Sequence, residues 1–152
     1  MKTPSILTAA FAAAALLTST TANAQKLTPA QVPAPVTAAF TQAFPKAMDI
    51  EWKLKGDQYN VDFETGLFRN DHEAWYDATG TLLRHEEELS ASDLPEAVTA
   101  AITKDFPGFR TDDVKRITER GTITWIVEVQ NKPTEWKVAY DNTGKQLQKQ
   151  AD

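Results

Sequence analysis

Hydrophobic residues recur at helical spacing in two segments, and the second segment repeats the first. In the first segment the apolar positions are Val32, Val36, Ala39, Phe40 and Phe44. In the second segment, sixty-two positions later, they are Leu94, Val98, Ala101, Ile102 and Phe106. This spacing places each set along one face of an amphipathic helix. A proline follows each final Phe and restricts it to extended conformations. The pattern therefore predicts two short helices, and each needs another surface to cover.

Apolar and polar residues alternate after each predicted helix, as is typical of strands with one buried face. The predicted strands lie at 49–54, 59–63, 73–77 and 82–87 in the first half, and at 114–119, 123–129, 136–140 and around Leu147 in the second. Two matching segments, Asp77-Ala-Thr-Gly80 and Asp141-Asn-Thr-Gly144, have the Asp and Gly that type I turns prefer. The sequence thus predicts an α+β fold. Its unit is a helix followed by four antiparallel strands, used once over residues 32–89 and again over 94–150.

The first 24 residues have the features of a secretory signal peptide. Lys2 supplies a positive charge, residues 6–17 form a short apolar run, and Ala22-Asn23-Ala24 is a small-x-small cleavage site. The run is too short to span a bilayer comfortably. We expect cleavage before Gln25, a mobile arm over residues 25–31, and a single domain over residues 32–152. The mature protein is expected in the periplasm or outside the cell.

The charge and the composition of the chain exclude several kinds of partner and of functional site. The 152-residue chain has a formal net charge of −5, and removal of residues 1–24 takes away one lysine and leaves −6. Such a charge argues against nucleic acid or an anionic membrane surface as the partner. The chain contains no cysteine, so disulfides, thiolate metal sites and cysteine nucleophiles are excluded. No cofactor is expected, and the sequence does not fix the oligomeric state.

Motifs of catalysis are missing from the sequence, so an enzyme is not predicted. There is no Gly-x-Ser-x-Gly, no His-Glu-x-x-His and no glycine-rich phosphate loop. A hairpin closed at Asp77–Gly80 would pair Glu73 with His85 and His72 with Glu86 on opposite faces of the sheet. Because a zinc site needs three or four converging ligands, these groups are interpreted as exposed charge pairs and not as a metal site.

The repeated motifs resemble those of the periplasmic PepSY-like family, whose fold is that of the beta-lactamase inhibitor protein. The matching segments are Val36-Thr-Ala-Ala with Phe44-Pro45, Val98-Thr-Ala-Ala with Phe106-Pro107, and the two Tyr-Asp-x-Thr-Gly turns. The resemblance implies one continuous antiparallel sheet, with the helices on one side and a concave, open face on the other. In the inhibitor, that open face binds the target enzyme.

Aromatic residues provide the candidate contact surface. Alignment of the two turns matches Tyr76 with Tyr140 and Trp75 with Ala139. Tyr140 lies on the same face of its strand as Val138 and Trp136, and this more apolar face is expected to meet the helix. Tyr76 should therefore point toward the helix and Trp75 toward the open face. An exposed Trp commonly marks a contact site. The candidate binding residues are Trp75, Leu83, Glu73, His85 and Trp52.

Two functions are compatible with this sequence. The first is a secreted or periplasmic, non-enzymatic module whose open face binds a protein or peptide, as an inhibitor or regulator of an envelope enzyme. The alternative is an envelope module that senses a small ligand or a cation through its acidic strands and histidines.

Overall fold

The computed structural model describes residues 24–152, which form one nine-stranded antiparallel sheet and two α-helices. The helices are α1 (Ala34–Ala43) and α2 (Glu96–Asp105). The strands are β1 (Gln25–Leu27), β2 (Met48–Lys55), β3 (Gln58–Thr65), β4 (Asn70–Tyr76), β5 (Leu82–Leu89), β6 (Arg110–Glu119), β7 (Thr122–Asn131), β8 (Thr134–Asp141) and β9 (Gln146–Ala151). The predicted signal peptide lies outside the described residues, apart from its last residue, Ala24.

The sheet is a meander in which each strand pairs with its neighbours in sequence, from β1 at one edge to β9 at the other. The prediction of an antiparallel sheet accompanied by two helices is confirmed. The predicted N-terminal arm is wrong at residues 25–27, which pair with Trp52, Lys53 and Leu54 of β2. Three residues are too few to show an alternation of apolar and polar positions, so this edge strand could not be predicted.

Both helices lie on the same face of the sheet. Directly paired residues of neighbouring strands share a face. One row of such pairs runs from Val61 through Ala74, His85 and Thr118 to Ile123. Val61 belongs to the core beneath α1, and Ile123 packs against the core beneath α2. We call this side the helix face. The other side, which neither helix covers, is the open face.

Two hydrophobic cores occupy the helix face. The first joins Val36 and Phe40 of α1 to residues of β2, β3 and β4, and the second joins Val98 and Ile102 of α2 to residues of β6, β7 and β8. The apolar stripes predicted for the helices are confirmed, because their valines are fully buried. Phe106 is also buried, whereas Phe44 is half-buried. A helix of ten residues is marginal alone, so burial of these stripes stabilises it.

The repeated Asp-x-Thr-Gly turns attach the sheet to the helices. In the first turn, Asp77 Oδ1 accepts hydrogen bonds from the backbone N–H groups of Thr79 at 2.9 Å and Thr81 at 3.0 Å. Gly80 then adopts a φ of +87°, and its Cα faces the carbonyl oxygen of Pro35 beside the start of α1. A glycine here permits both the left-handed backbone and the close approach. Gly144 occupies the same position against Ala97 of α2.

A β-bulge changes the register of β4 and β5. Tyr76 pairs with Leu82, but Trp75 pairs with Arg84, so Leu83 is an extra residue without a partner. The predicted pairs are therefore wrong: Glu73 faces Glu86, His72 faces Glu87, and His85 faces Ala74. Because side chains alternate between the two faces, this shift of one residue turns His85 onto the helix face.

Candidate functional site

Trp75 lies on the open face between two cations. Its ring is 5.4 Å from Lys55 Nζ on one side and 5.4 Å from Arg84 Cζ on the other. Both contacts have the distance of a cation–π interaction. Tyr76, the next residue, is buried in the first core. Trp75 itself is half-buried, and its accessible part can be contacted by a partner without any rearrangement of the core.

Ion pairs fix the charged side chains around Trp75. Glu73 bonds Lys55 Nζ at 2.6 Å and accepts a 2.9 Å hydrogen bond from Asn60 Nδ2. Glu86 bonds Arg84 at 2.6 Å and Lys115 at 3.0 Å. Burial acts to raise the pKa of Glu86, but the hydrogen bonds from Arg84 and Lys115 outweigh it and hold that pKa below its ordinary value. The charged side chains around Trp75 are therefore paired with one another.

A wide concavity occupies the open face of the second half. It has a volume of about 660 Å³ and is formed by β5 to β9. Its apolar lining residues are Ile117, Ile126, Ala139 and Leu147. Threonine and glutamine side chains form much of the rest of the lining. Three cations also line it, namely Arg84, Arg120 and Lys137, against one carboxylate, Glu119. We call this concavity the groove. Arg84 contacts Trp75 as well as the groove, so the two features adjoin.

An acidic cleft of about 270 Å³ lies on β2 to β6. Eight carboxylates line it against a single lysine, Lys115. Within residues 24–152, no three His, Asp or Glu side chains converge as metal ligands.

The two histidines of the chain meet on the helix face, between the two cores. His72 Nδ1 lies 3.0 Å from His85 Nε2, and the rings are parallel with centroids 5.3 Å apart. His72 Nε2 lies 2.7 Å from Thr65 Oγ1. Phe63 stacks on His72 at 4.9 Å, and Phe44 covers His85 at 5.0 Å. The bulge at Leu83 makes this pairing possible, because it brings both rings to one face.

Burial disfavours the charged form of both imidazoles. Burial, followed by the positive charge that His72 carries when protonated, lowers the pKa of His85 to about 4, although Glu87 acts in the opposite direction. Burial also lowers the pKa of His72, against the opposing effects of Glu87 and Asp71. A bond between two ring nitrogens requires one donor and one acceptor. Two protonated rings at 3.0 Å would lose that bond and repel each other.

Replacing Phe44 with alanine is expected to open the histidine pair to water. Phe44 is half-buried and its ring contacts both Phe63, at 4.6 Å, and His85. We expect the free energy of unfolding to fall by about 2 kcal/mol. Because burial is the main cause of the low pKa of His85, that pKa should also rise toward its ordinary value. An NMR titration of the imidazole signals measures this shift, and an unchanged pKa would contradict the role of Phe44 as a cover.

The structure divides the predicted binding residues among three environments. Trp75 and Glu73 lie together on the open face, and Leu83 is the extra residue of the bulge. His85 lies on the helix face and not beside Trp75. Trp52 is only 4% exposed and packs edge-on against Phe40, so it is a core residue and does not reach the open face.

Arg84 and the groove were not predicted from the sequence. The predicted register placed Leu83 beside Trp75, where the structure has Arg84. The groove had a readable indication at the start of β7, where the open-face residues Thr122, Thr124 and Ile126 carry no charge. Glu128, further along the same face, is paired with Lys137.

The chain matches one family model twice, over residues 7–67 and 57–148. The model's description is "Putative beta-lactamase-inhibitor-like, PepSY-like". The chain belongs to this PepSY-like family. No curated protein is significantly similar to it.

Solved structures share the fold of this PepSY-like protein. A BLIP-like protein from Bacteroides fragilis is 24% identical, with a TM-score of 0.65 over 78% of this chain and 86% of that one. A "putative periplasmic" protein from Bacteroides eggerthii is 18% identical, with a TM-score of 0.67 over 79% of this chain and 88% of that one. Within residues 24–152 of the PepSY-like chain, neither helix has the length and apolarity needed to cross a bilayer.

Proposed function

We propose that this PepSY-like protein is an extracytoplasmic, non-enzymatic module that binds a protein or peptide on the open face of its sheet. The observation that carries the proposal is Trp75, a large aromatic residue that lies half-buried between Lys55 and Arg84 on the uncovered face, away from both cores. Tryptophan and arginine are the residue types most enriched at the energetic centres of protein interfaces. The Bacteroides fragilis protein of the same fold is called BLIP-like, which agrees with a role as an inhibitor or regulator.

The proposed contact surface extends from Trp75 into the groove. Arg84 joins the two, since it contacts the Trp75 ring and lines the groove. The groove supplies apolar area, and its threonines and glutamines supply hydrogen bonds to a polypeptide. An apolar centre with polar surroundings is the usual composition of a specific interface.

The sequence and the fold relatives together support an envelope location. The residues preceding Gln25 have the features of a signal peptide, and the Bacteroides eggerthii relative is described as periplasmic. The proposed partner is therefore an envelope protein, with the enzymes of that compartment as the first class to test.

We also propose that the two halves are copies of one helix-plus-four-strand unit. The support lies in equivalent details of the backbone. Gly80 and Gly144 approach the helices at matching carbonyls, and bulges interrupt both final strand pairs, at Leu83 and at Leu147. On this proposal the groove is a specialisation of the second copy.

Replacing Trp75 with alanine tests the proposed function. Partners captured from a periplasmic extract by the wild-type protein are purified, and their affinity for each variant is measured by calorimetry. We expect Trp75→Ala to weaken binding by about 2 kcal/mol, roughly thirtyfold. The free energy of unfolding should change by less than about 1 kcal/mol, because the ring contributes only surface cation–π contacts.

Leu82→Ala is the matched control, because Leu82 is an exposed apolar residue but does not line the groove. Its affinity for the partner should equal that of the wild type. If Trp75→Ala and a groove variant such as Leu147→Ser both bind every captured partner with wild-type affinity, the open face is not the contact surface.

A further inference from the structure

The turn between β3 and β4 projects two large apolar side chains into water. Leu67 is 97% exposed and Phe68 is 93% exposed. Arg69 holds this turn, since its backbone N–H donates to the carbonyl of Gly66 at 3.4 Å and its side chain forms ion pairs with Asp49 and Glu64. We call residues 66–69 the tip. Its apolar side chains are presented on an anchored turn, which lowers the entropy lost when they bind.

Further exposed apolar side chains lie beside the tip. Met48 pairs with Glu64 at the end of β3, and both Met48 and Ile50 remain exposed. Among residues 24–152, four of the six exposed large hydrophobic side chains are therefore gathered at this end of the sheet. Scattered apolar residues need no explanation, but a cluster on a protrusion marks an interaction site.

The charges around the tip restrict what it binds. Glu64 and Asp71 flank the turn and also line the acidic cleft, which has eight carboxylates and one lysine. An anionic membrane surface would be repelled by this end of the protein. The matching surface must offer an apolar depression with a positively charged rim.

The groove of the same protein offers such a depression. Its floor contains Ile117, Ile126 and Leu147. Two of its cations are already paired, Arg84 with Glu86 and Glu119 and Lys137 with Glu128 and Asp152. Arg120 forms no ion pair with the residues that the structure describes and supplies the positive charge at the rim. A volume of about 660 Å³ falls in the range of sites that enclose drug-sized ligands, so the groove is large enough for a pair of side chains. The two surfaces are thus complementary in polarity, and Arg120 of the groove offers an unpaired positive charge to the acidic surroundings of the tip.

We propose that the tip of one copy of this chain docks into the groove of a second copy. Leu67 and Phe68 then bury against the apolar floor, while Asp71 faces Arg120 at the rim. This inference rests on the proposed role of the open face and names a second copy as its occupant. Because tip and groove are different surfaces, the contact is heterologous. In a dimer, the groove of one copy and the tip of the other remain free. Association therefore continues beyond the dimer unless a ring closes.

Sedimentation of the purified protein alone tests this inference, over a range of concentrations at low and high salt. We expect the average mass to rise above the monomer as concentration increases, and salt to oppose the rise by screening the rim charges. The variants Leu67→Ser/Phe68→Ser and Leu147→Ser/Arg120→Glu should each remain monomeric. Leu82→Ser is the control and should associate as the wild type does.

Mixing the two monomeric variants separates a tip–groove contact from any other kind of association. The tip variant retains an intact groove, and the groove variant retains an intact tip. The mixture should therefore form a one-to-one complex that does not grow further. A wild-type protein that stays monomeric at every concentration, or a mixture that stays monomeric, would overturn the inference. Neither result would contradict the proposed function, which is tested by the affinity of Trp75→Ala for a different protein.

Discussion

Replacing Gly80 with alanine is expected to reduce the free energy of unfolding by about 3–5 kcal/mol. A Cβ at this position would lie 2.5 Å from the carbonyl oxygen of Pro35, closer than real Cβ contacts. The φ of +87° adds left-handed strain for any residue with a side chain. Because the obstructing atom is backbone at the start of α1, the helix must shift away from the sheet. Chemical denaturation measures the loss, and Gly144→Ala should behave in the same way against Ala97.

Gly121→Ala is the matched control for this prediction. Gly121 has a φ of +81°, similar to that of Gly80, but nothing lies within 4 Å of the position its Cβ would take. Gly121→Ala should lower the free energy of unfolding only by the cost of the left-handed strain, about 1–2 kcal/mol. Equal losses for Gly80→Ala and Gly121→Ala would show that the close approach of turn and helix contributes nothing to stability.

Acidification from pH 7 to pH 4 is expected to remove about 3 kcal/mol of stability through His85 alone. The unfolded chain takes up this proton near the ordinary pKa of 6.5, whereas in the folded protein burial lowers the pKa to about 4. Between these values the unfolded state binds more protons, so stability falls as the pH falls. Glu87 and Glu86 oppose the shift, while Arg116 and a protonated His72 reinforce it.

Urea denaturation of the wild type and of His85→Gln at several pH values measures this contribution. Glutamine is neutral throughout, so the variant should lose markedly less stability between pH 6.5 and 4. The carboxylates titrate in both proteins, and the difference between the two curves therefore reports on residue 85. An NMR pKa of His85 near 6.5 in the folded wild type would contradict the prediction.

The fold could be predicted largely because its elements have periodic patterns. Two helices at a fixed offset and strands with regular alternation place Val36 and Val98 inside, where the structure has them. The turn at Gly80 was equally readable, since an Asp and a Gly at fixed spacing specify a conformation. These features are local, and a local pattern suffices to encode them.

The register of β4 and β5 could not be predicted, because a bulge leaves the alternation of each strand intact. The extra residue at Leu83 changes only which residues face each other. It brings His72 to His85 and puts Arg84 beside Trp75, so both the histidine pair and the surroundings of Trp75 depend on it. The groove was missed for a related reason: Ile117, Ile126 and Ala139 come from three strands and adjoin only once the sheet is assembled.

The meander order of the sheet has a consequence for the speed of folding. Every strand pairs with its neighbour in sequence, so most pairings close only a short turn. The entropy lost in closing a loop grows with its length, and chains dominated by local contacts fold faster than sandwiches with distant pairings. The two longest connections between paired strands are equal in length: residues 28–47, through α1, join β1 to β2, and residues 90–109, through α2, join β5 to β6. We therefore expect the hairpins to form first, and the closures across the two helices to limit the rate of folding.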